Sequence, residues 1–192
     1  MSFTRGTSLG VLLVAGAGSR FLSGTHKLLA PLNGAPVVSY ALSSMVSAGF
    51  GACIAITGSV ALEGLLGDVT EVHNDAWETG QRSSVVTAID FARSHGFTSI
   101  VIGLGDQPFI PTQAWQLVEE ADSPIALATY DGVRGNPVKL TSDVWDLFIA
   151  IDADPDVGAR TLIHLHPELV REVACKGNSA DIDTTEDLSK WI

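Results

Sequence analysis

Leu12-Leu13-Val14-Ala15-Gly16-Ala17-Gly18-Ser19-Arg20-Phe21, followed by an isolated Lys27, is the stretch on which the fold is read. An apolar run, Leu9 to Ala15, breaks into glycines and then into two cations. A buried parallel strand ends in this way at an anion-binding loop. Gly16 and Gly18 lack a Cβ and can take positive φ, so amide N–H groups can close on a phosphate. Arg20 offers a planar fork and Lys27 a mobile point charge. The loop is no Walker A, because no Gly-Lys-Ser/Thr follows, and Phe21 stands at the third glycine of the dinucleotide fingerprint. A tight turn with a purely structural role is the competing reading. The two cations favour nucleotide phosphate.

The rest of the chain bounds the class. Its 192 residues hold 22 acidic and 11 basic side chains, a net charge of −11, which disfavours nucleic acid and anionic membranes as partners. With 46% hydrophobic residues and no linker-like tract, one domain over residues 1–192 is expected. The apolar runs are too short to span a bilayer. The opening Met1-Ser2-Phe3-Thr4-Arg5 lacks a signal-peptide core, so a cytoplasmic location is expected. Cys53 and Cys175 stand apart in apolar runs and read as buried free thiols. Arg20, Lys27, Arg82, Arg134, Lys139 and Arg160 fall in or beside glycine-containing loops, a placement that reads as a local anion site or as chance clustering.

Strand and helix patterns alternate. Strands are expected at Leu9–Ala15, Ala52–Thr57, Val69–His73, Thr98–Leu104, Ile125–Thr129, Pro137–Leu140 and Leu169–Ala174. Helices are expected at Pro36–Ala48, in a short segment to Leu66, from a Ser83 or Ser84 cap to Arg93, and at Thr112–Ala121, Ser142–Ala150 and Gly158–His164. A closing helix would be capped by Thr184 or Thr185. This alternation predicts an α/β fold with a doubly wound, mostly parallel sheet, which binds ligands at the carboxyl ends of its strands.

Two acidic groups stand out. Asp106, in Gly103-Leu104-Gly105-Asp106-Gln107-Pro108, ends the best-defined strand. It reads equally as a Mg²⁺ ligand and as a cap for the helix after Pro111. Asp181 and Asp183 share a face of an extended segment, while Glu186 and Asp187 are accounted for by the helix they open. The histidines His26, His73, His95, His164 and His166 show no metal-binding spacing and read as surface or capping residues.

Six segments in order resemble the molybdenum cofactor nucleotidyltransferases of the NTP transferase superfamily: Leu13-Val14-Ala15-Gly16-x-Gly18-x-Arg20-Phe21 with Lys27, Asn74 to Ser84, Gly105-Asp106-x-Pro108, Arg134-Gly135-Asn136-Pro137-Val138, Asp156 to Arg160, and Asp181 to Leu188. The chain departs from the family pattern at Gln81 and Gln107, where methionine is usual, at Asn136, where histidine is common, and at Thr185, where proline stands. The resemblance implies a three-layered Rossmann-like nucleotidyltransferase that moves CMP from CTP to a phosphorylated pterin and releases pyrophosphate. It implies a nucleotide site of Leu13, Ala15, Gly16, Gly18, Ser19, Arg20, Lys27, Gly80, Ser83, Ser84 and Asp106. Lys27, Arg20 and Asp106 would be catalytic. Asp106 and Asp183 would hold Mg²⁺, with Asp181 a weaker candidate, and Arg134, Asn136 and Arg160 would face the acceptor. Ala15, where guanylyl-transferring members carry glycine, implies CTP over GTP. Alternatives are a GTP-dependent or other small-phosphate transferase, or a nucleotide-binding chaperone with a molybdenum hydroxylase as partner. An NAD(P)-dependent oxidoreductase is disfavoured by the missing third glycine.

Overall fold

The computed structural model describes residues 8–192 except 63, 153, 155 and 157. The signal-peptide reading of residues 1–5 lies outside them. Nine strands are described: β1 (Ser8–Leu13), β2 (Pro31–Leu32), β3 (Ala35–Pro36), β4 (Ala52–Thr57), β5 (Thr70–His73), β6 (Ser99–Leu104), β7 (Ile125–Tyr130), β8 (Val133–Thr141) and β9 (Val170–Ala174). The α-helices are α1 (Val37–Val46), α2 (Gln81–His95), α3 (Thr112–Glu120), α4 (Ser142–Ala150), α5 (Arg160–Leu165) and α6 (Thr185–Ser189).

Seven strands make the central sheet, in the order β5-β4-β1-β6-β8-β7-β9. β1 is buried along its whole length, so alternate side chains feed opposite cores. Leu9, Val11 and Leu13 pack with Val85, Ala88 and Ile89 of α2, with Trp145 and Phe148 of α4, and with Leu162 and Ile163 of α5. Leu12, with Val14 just beyond the strand, packs with Val38, Ala41 and Met45 of α1 and with Trp115 and Val118 of α3. Helices on both faces give the expected three layers. Trp115 lies so close to the sheet that a Cβ at Gly103 would come within 2.4 Å of its ring.

The mostly parallel expectation holds with one exception. β8 runs antiparallel to both β6 and β7 and is longer than the expected Pro137–Leu140. Asp131 and Gly132 explain it: with φ of 51° and 80° they make a two-residue turn that pairs Tyr130 with Val133 as a hairpin. Asn33-Gly34, φ 47° and 92°, turns β2 into β3 in the same way, a hairpin absent from the strand pattern. The segment expected to be helical up to Leu66 forms turns in its described part. α2 begins before the serines, at Gln81, with Gly80 (φ 114°) as its N-cap.

Two of the six loop cations are not at an anion site. Arg82 Nη2 donates to the carbonyls of Phe148, Ile149 and Ile151 and so closes the C-terminal end of α4. Lys139 is buried, and its Nζ donates to Glu119 O and Ala121 O at the end of α3. Cations suit helix C-termini because the exposed carbonyls carry partial negative charge. Among the described residues no helix is long and apolar enough to cross a membrane.

Candidate active site

β1 and β6 are parallel neighbours, and the chain departs from them in opposite directions across the sheet. That is a topological switch point, where a crevice opens beyond the carboxyl ends of the strands. The loop after β1 forms one side of it. Ser59 Oγ donates to Gly16 O (2.7 Å) and Ser59 N to Ala15 O (3.0 Å). His26 Nδ1 accepts from Leu28 N (3.3 Å), so its Nε2 carries the proton and donates to Gly16 O (3.1 Å). In a trans peptide the N–H points opposite to the C=O. Pinning these two carbonyls therefore aims the amides of Gly16 and Ala17 away from Ser59 and His26, as an anion loop requires. Gly18, at φ 61°, is the turn itself, with His26 and Lys27 where a Cβ would stand.

Three separate segments meet on Lys27. Its Nζ donates to Asp106 Oδ2 (2.5 Å), just past β6, and to Asp183 Oδ1 (2.8 Å), just before α6. Arg20 Nη2 lies 2.9 Å from Asp183 Oδ2. Burial works against the charge on Lys27, but the Asp106 and Asp183 carboxylates outweigh it and raise its pKa, so the ammonium is held charged. Asp181 is lifted above the ordinary carboxylate range, by desolvation first and then by the Asp106 charge. Ile182 N donates to Asp106 O (2.9 Å), which ties the C-terminal acidic segment to the β6 loop. A capping box of Thr184 and Asp187 starts α6 directly after Asp183 and fixes its exit.

A cleft of about 660 Å³ is lined by Leu13, Ala15, Gly16, Ser19, Arg20, Lys27, Gly80, Ser84, Asp106 and Asp183, together with Asp181, Trp77 and others. Gly18 and Ser83 do not line it. Ser83 accepts from Asn74 Nδ2 (2.8 Å) and turns its hydroxyl towards Gly80 O (2.8 Å), away from the cleft. Trp77 packs over Gly58, where a Cβ would clash with the indole at 2.6 Å, and presents part of itself to the cleft. Arg134, Asn136 and Arg160 line a second cavity of about 320 Å³ with an apolar floor that includes Val85, Ile102, Leu127 and Val138. Leu13, Gln81 and Leu104 belong to both cavities, so the two adjoin across one wall. Arg134 is held by Glu172 at 2.6 Å.

Asp106 Oδ1 is buried without a hydrogen-bond partner. An orphaned carboxylate oxygen beside a second carboxylate fits a hard divalent cation. Among the described residues no group of three His, Cys, Asp or Glu is arranged around one point. Such an ion would take its remaining ligands from substrate and water. His26 caps the turn at Lys27–Leu29, as the sequence suggested, while the site contacts of Ser59 and Gln107 had no signal in it. Their roles arise from long-range contacts that no local spacing encodes.

Residues 10–172 match the model of the MobA-like NTP transferase domain. The chain belongs to that family. It is 29% identical over 198 residues to a nicotine blue oxidoreductase of Paenarthrobacter nicotinovorans, covering 95% of each chain. The crystal structure of Rv0371c from Mycobacterium tuberculosis H37Rv superposes with a TM-score of 0.80 at 27% identity, covering 97% of this chain and 98% of that one. A manganese complex of the same mycobacterial protein gives a TM-score of 0.73 at 26% identity, covering 98% of each chain.

Proposed function

We propose that this chain is a nucleotidyltransferase that moves CMP from CTP to the terminal phosphate of a molybdopterin-type acceptor. The observation that carries this reading is the pair of adjoining cavities. One has pinned loop amides, Arg20 and Lys27, and carboxylates that include Asp106 and Asp183. The other has an apolar floor, and Arg134, Asn136 and Arg160 on its wall.

A triphosphate in the larger cleft would meet the amides of the β1 loop with Arg20 and Lys27. A phosphorylated ring in the smaller one would present its phosphate across the Leu13–Leu104 wall. An oxygen of that phosphate attacks the α-phosphorus. A new P–O bond forms as the bond from the α-phosphorus to the bridging oxygen breaks, and pyrophosphate leaves with the electron pair. No covalent enzyme intermediate is required, so the protein's work is to position two anions and offset their charge. Asp106 and Asp183 would hold Mg²⁺, which supplies charge neutralisation to the reacting phosphates; the manganese-bound relative supports a divalent site in this fold. Lys27 bridges the same two carboxylates and is placed to shift towards the triphosphate as they engage the cation. Ala15, 5% exposed at the cleft wall, narrows the base site in favour of a pyrimidine.

Pyrophosphate release, measured with CTP or GTP, Mg²⁺ and molybdopterin, tests the reading. Release with CTP and acceptor together supports it, and release with GTP alone moves the assignment to guanylyl transfer. The relative named as a nicotine blue oxidoreductase favours one other reading, an oxidoreductase activity, which would use NAD(P)H if the glycine loop holds a dinucleotide. NAD(P)H oxidation without pyrophosphate release would select it. Tight nucleotide binding with neither product would select the chaperone alternative.

A further inference from the structure

Gln107 and Asn136 both depart from the family pattern, and they touch each other. Asn136 Nδ2 donates to Gln107 Oε1 at 2.9 Å. Gln107, 5% exposed, uses its own amide nitrogen twice, donating to Asp181 Oδ1 (2.6 Å) and to Ser179 O (3.1 Å). The chain of amides thus runs from the smaller cavity, lined by Asn136, to the nucleotide cleft, lined by Asp181.

The polarity of this chain is forced. A main-chain carbonyl only accepts, so Ser179 O fixes Gln107 with its nitrogen on that side, and the Asp181 carboxylate asks for the same orientation. Gln107 must then turn Oε1 towards Asn136, and Asn136 must answer with Nδ2. Flipping either amide would set two donors or two acceptors face to face inside the protein, which the burial of Gln107 makes costly. The main-chain oxygen of Asn136 is already taken by Tyr130 Oη at 2.7 Å. Asn136 Oδ1 has no hydrogen-bond partner among the described residues.

We infer that Gln107 is a positioning residue that locks Asn136 Oδ1 as a hydrogen-bond acceptor on the wall of the smaller cavity, and that this cavity selects a flat heterocycle bringing an N–H or O–H donor to that point. The flat-ring half of the inference comes from the floor of Leu13, Val85, Ile102, Leu127 and Val138, which offers apolar contact and no charge. It rests on the proposed function only in taking this cavity as the acceptor site.

The probes are lumazine, whose ring edge carries N–H donors, and 1,3-dimethyllumazine, the same ring with those donors capped. Calorimetric titration of the full chain is expected to show lumazine binding about tenfold to a hundredfold more tightly. Asn136→Ala should bring the ratio close to one. Gln107→Met is the decisive variant, because it leaves Asn136 in place and frees its amide to flip, while it also removes the donor to Ser179 O and Asp181 Oδ1. The ratio should fall there as well. A ratio that survives Gln107→Met means that methyl bulk alone is being sensed, and overturns the inference. So does a wild type that shows no preference, or binds neither probe. If Gln107→Met does not fold, Asn136→Ala at the half-buried end of the chain carries the test. Pyrophosphate release on the same preparations separates the two claims: lost turnover with a retained preference removes the transferase reading alone.

Discussion

Asp106 and Lys27 hold each other across the cleft, and their replacements are expected to fail differently. Asp106→Ala removes the carboxylate that carries the orphaned oxygen, yet the residue lies past the end of β6 and contributes little to either core. Metal-dependent turnover should fall by at least about a hundredfold, the scale of losing a positioned charge-stabilising group, while the far-ultraviolet circular dichroism spectrum stays unchanged. Retained turnover would make Asp106 a structural contact only. Lys27→Ala should weaken CTP binding more than CMP binding, since its ammonium would act on the outer phosphates. Equal losses for the two nucleotides, measured by calorimetry, would assign Lys27 to holding the loops together through Asp106 and Asp183. Ala15→Gly should narrow any CTP preference, and a group of this size is worth about tenfold to two hundredfold at most. Unchanged selectivity in the variant would remove the steric explanation.

At the scale of elements, the centre of the sheet follows from the sequence because β1, β4, β6 and β7 are largely apolar runs with a glycine shortly after their ends. Ala52–Thr57 and Ser142–Ala150 match expectation to the residue. Elements whose shape depends on turn chemistry were the ones missed. Asp131-Gly132 and Asn33-Gly34 are hairpin dipeptides, and reading them as such would have revealed β8 as antiparallel and the pair β2–β3. Arg82 and Lys139 show a further limit. A cation beside a glycine looks the same in sequence whether it serves a phosphate or a distant helix end. Arg82→Ala should destabilise the protein by about 1–3 kcal/mol, because three carbonyls at the end of α4 lose their donor. Gly103→Ala should cost a similar amount, about 1–3 kcal/mol, by pushing a methyl into the Trp115 ring. Urea denaturation checks both, and wild-type midpoints would show that the helix end or the ring relaxes without strain.

Across the whole molecule, a chain of net charge −11 concentrates carboxylates and cations at one switch point, from segments far apart in sequence. The family-like motifs around Gly16, Asn74 and Asp106 are legible because each follows the end of a strand. How they meet was not legible: the ion pairs of Lys27 and the bond from Gln107 to Asp181 join residues more than seventy positions apart, and Asn136 reaches Gln107 across 29. If the adjoining cavities take two anionic substrates, as proposed, neither nucleotide nor acceptor alone gives product. The most direct measurement is the mass of the pterin acceptor after incubation with CTP, Mg²⁺ and the protein. A gain of one cytidine monophosphate unit, matched by one pyrophosphate released and absent with Asp106→Ala, is the expected result. An acceptor of unchanged mass beside intact CTP, from protein that binds both, would contradict nucleotidyl transfer.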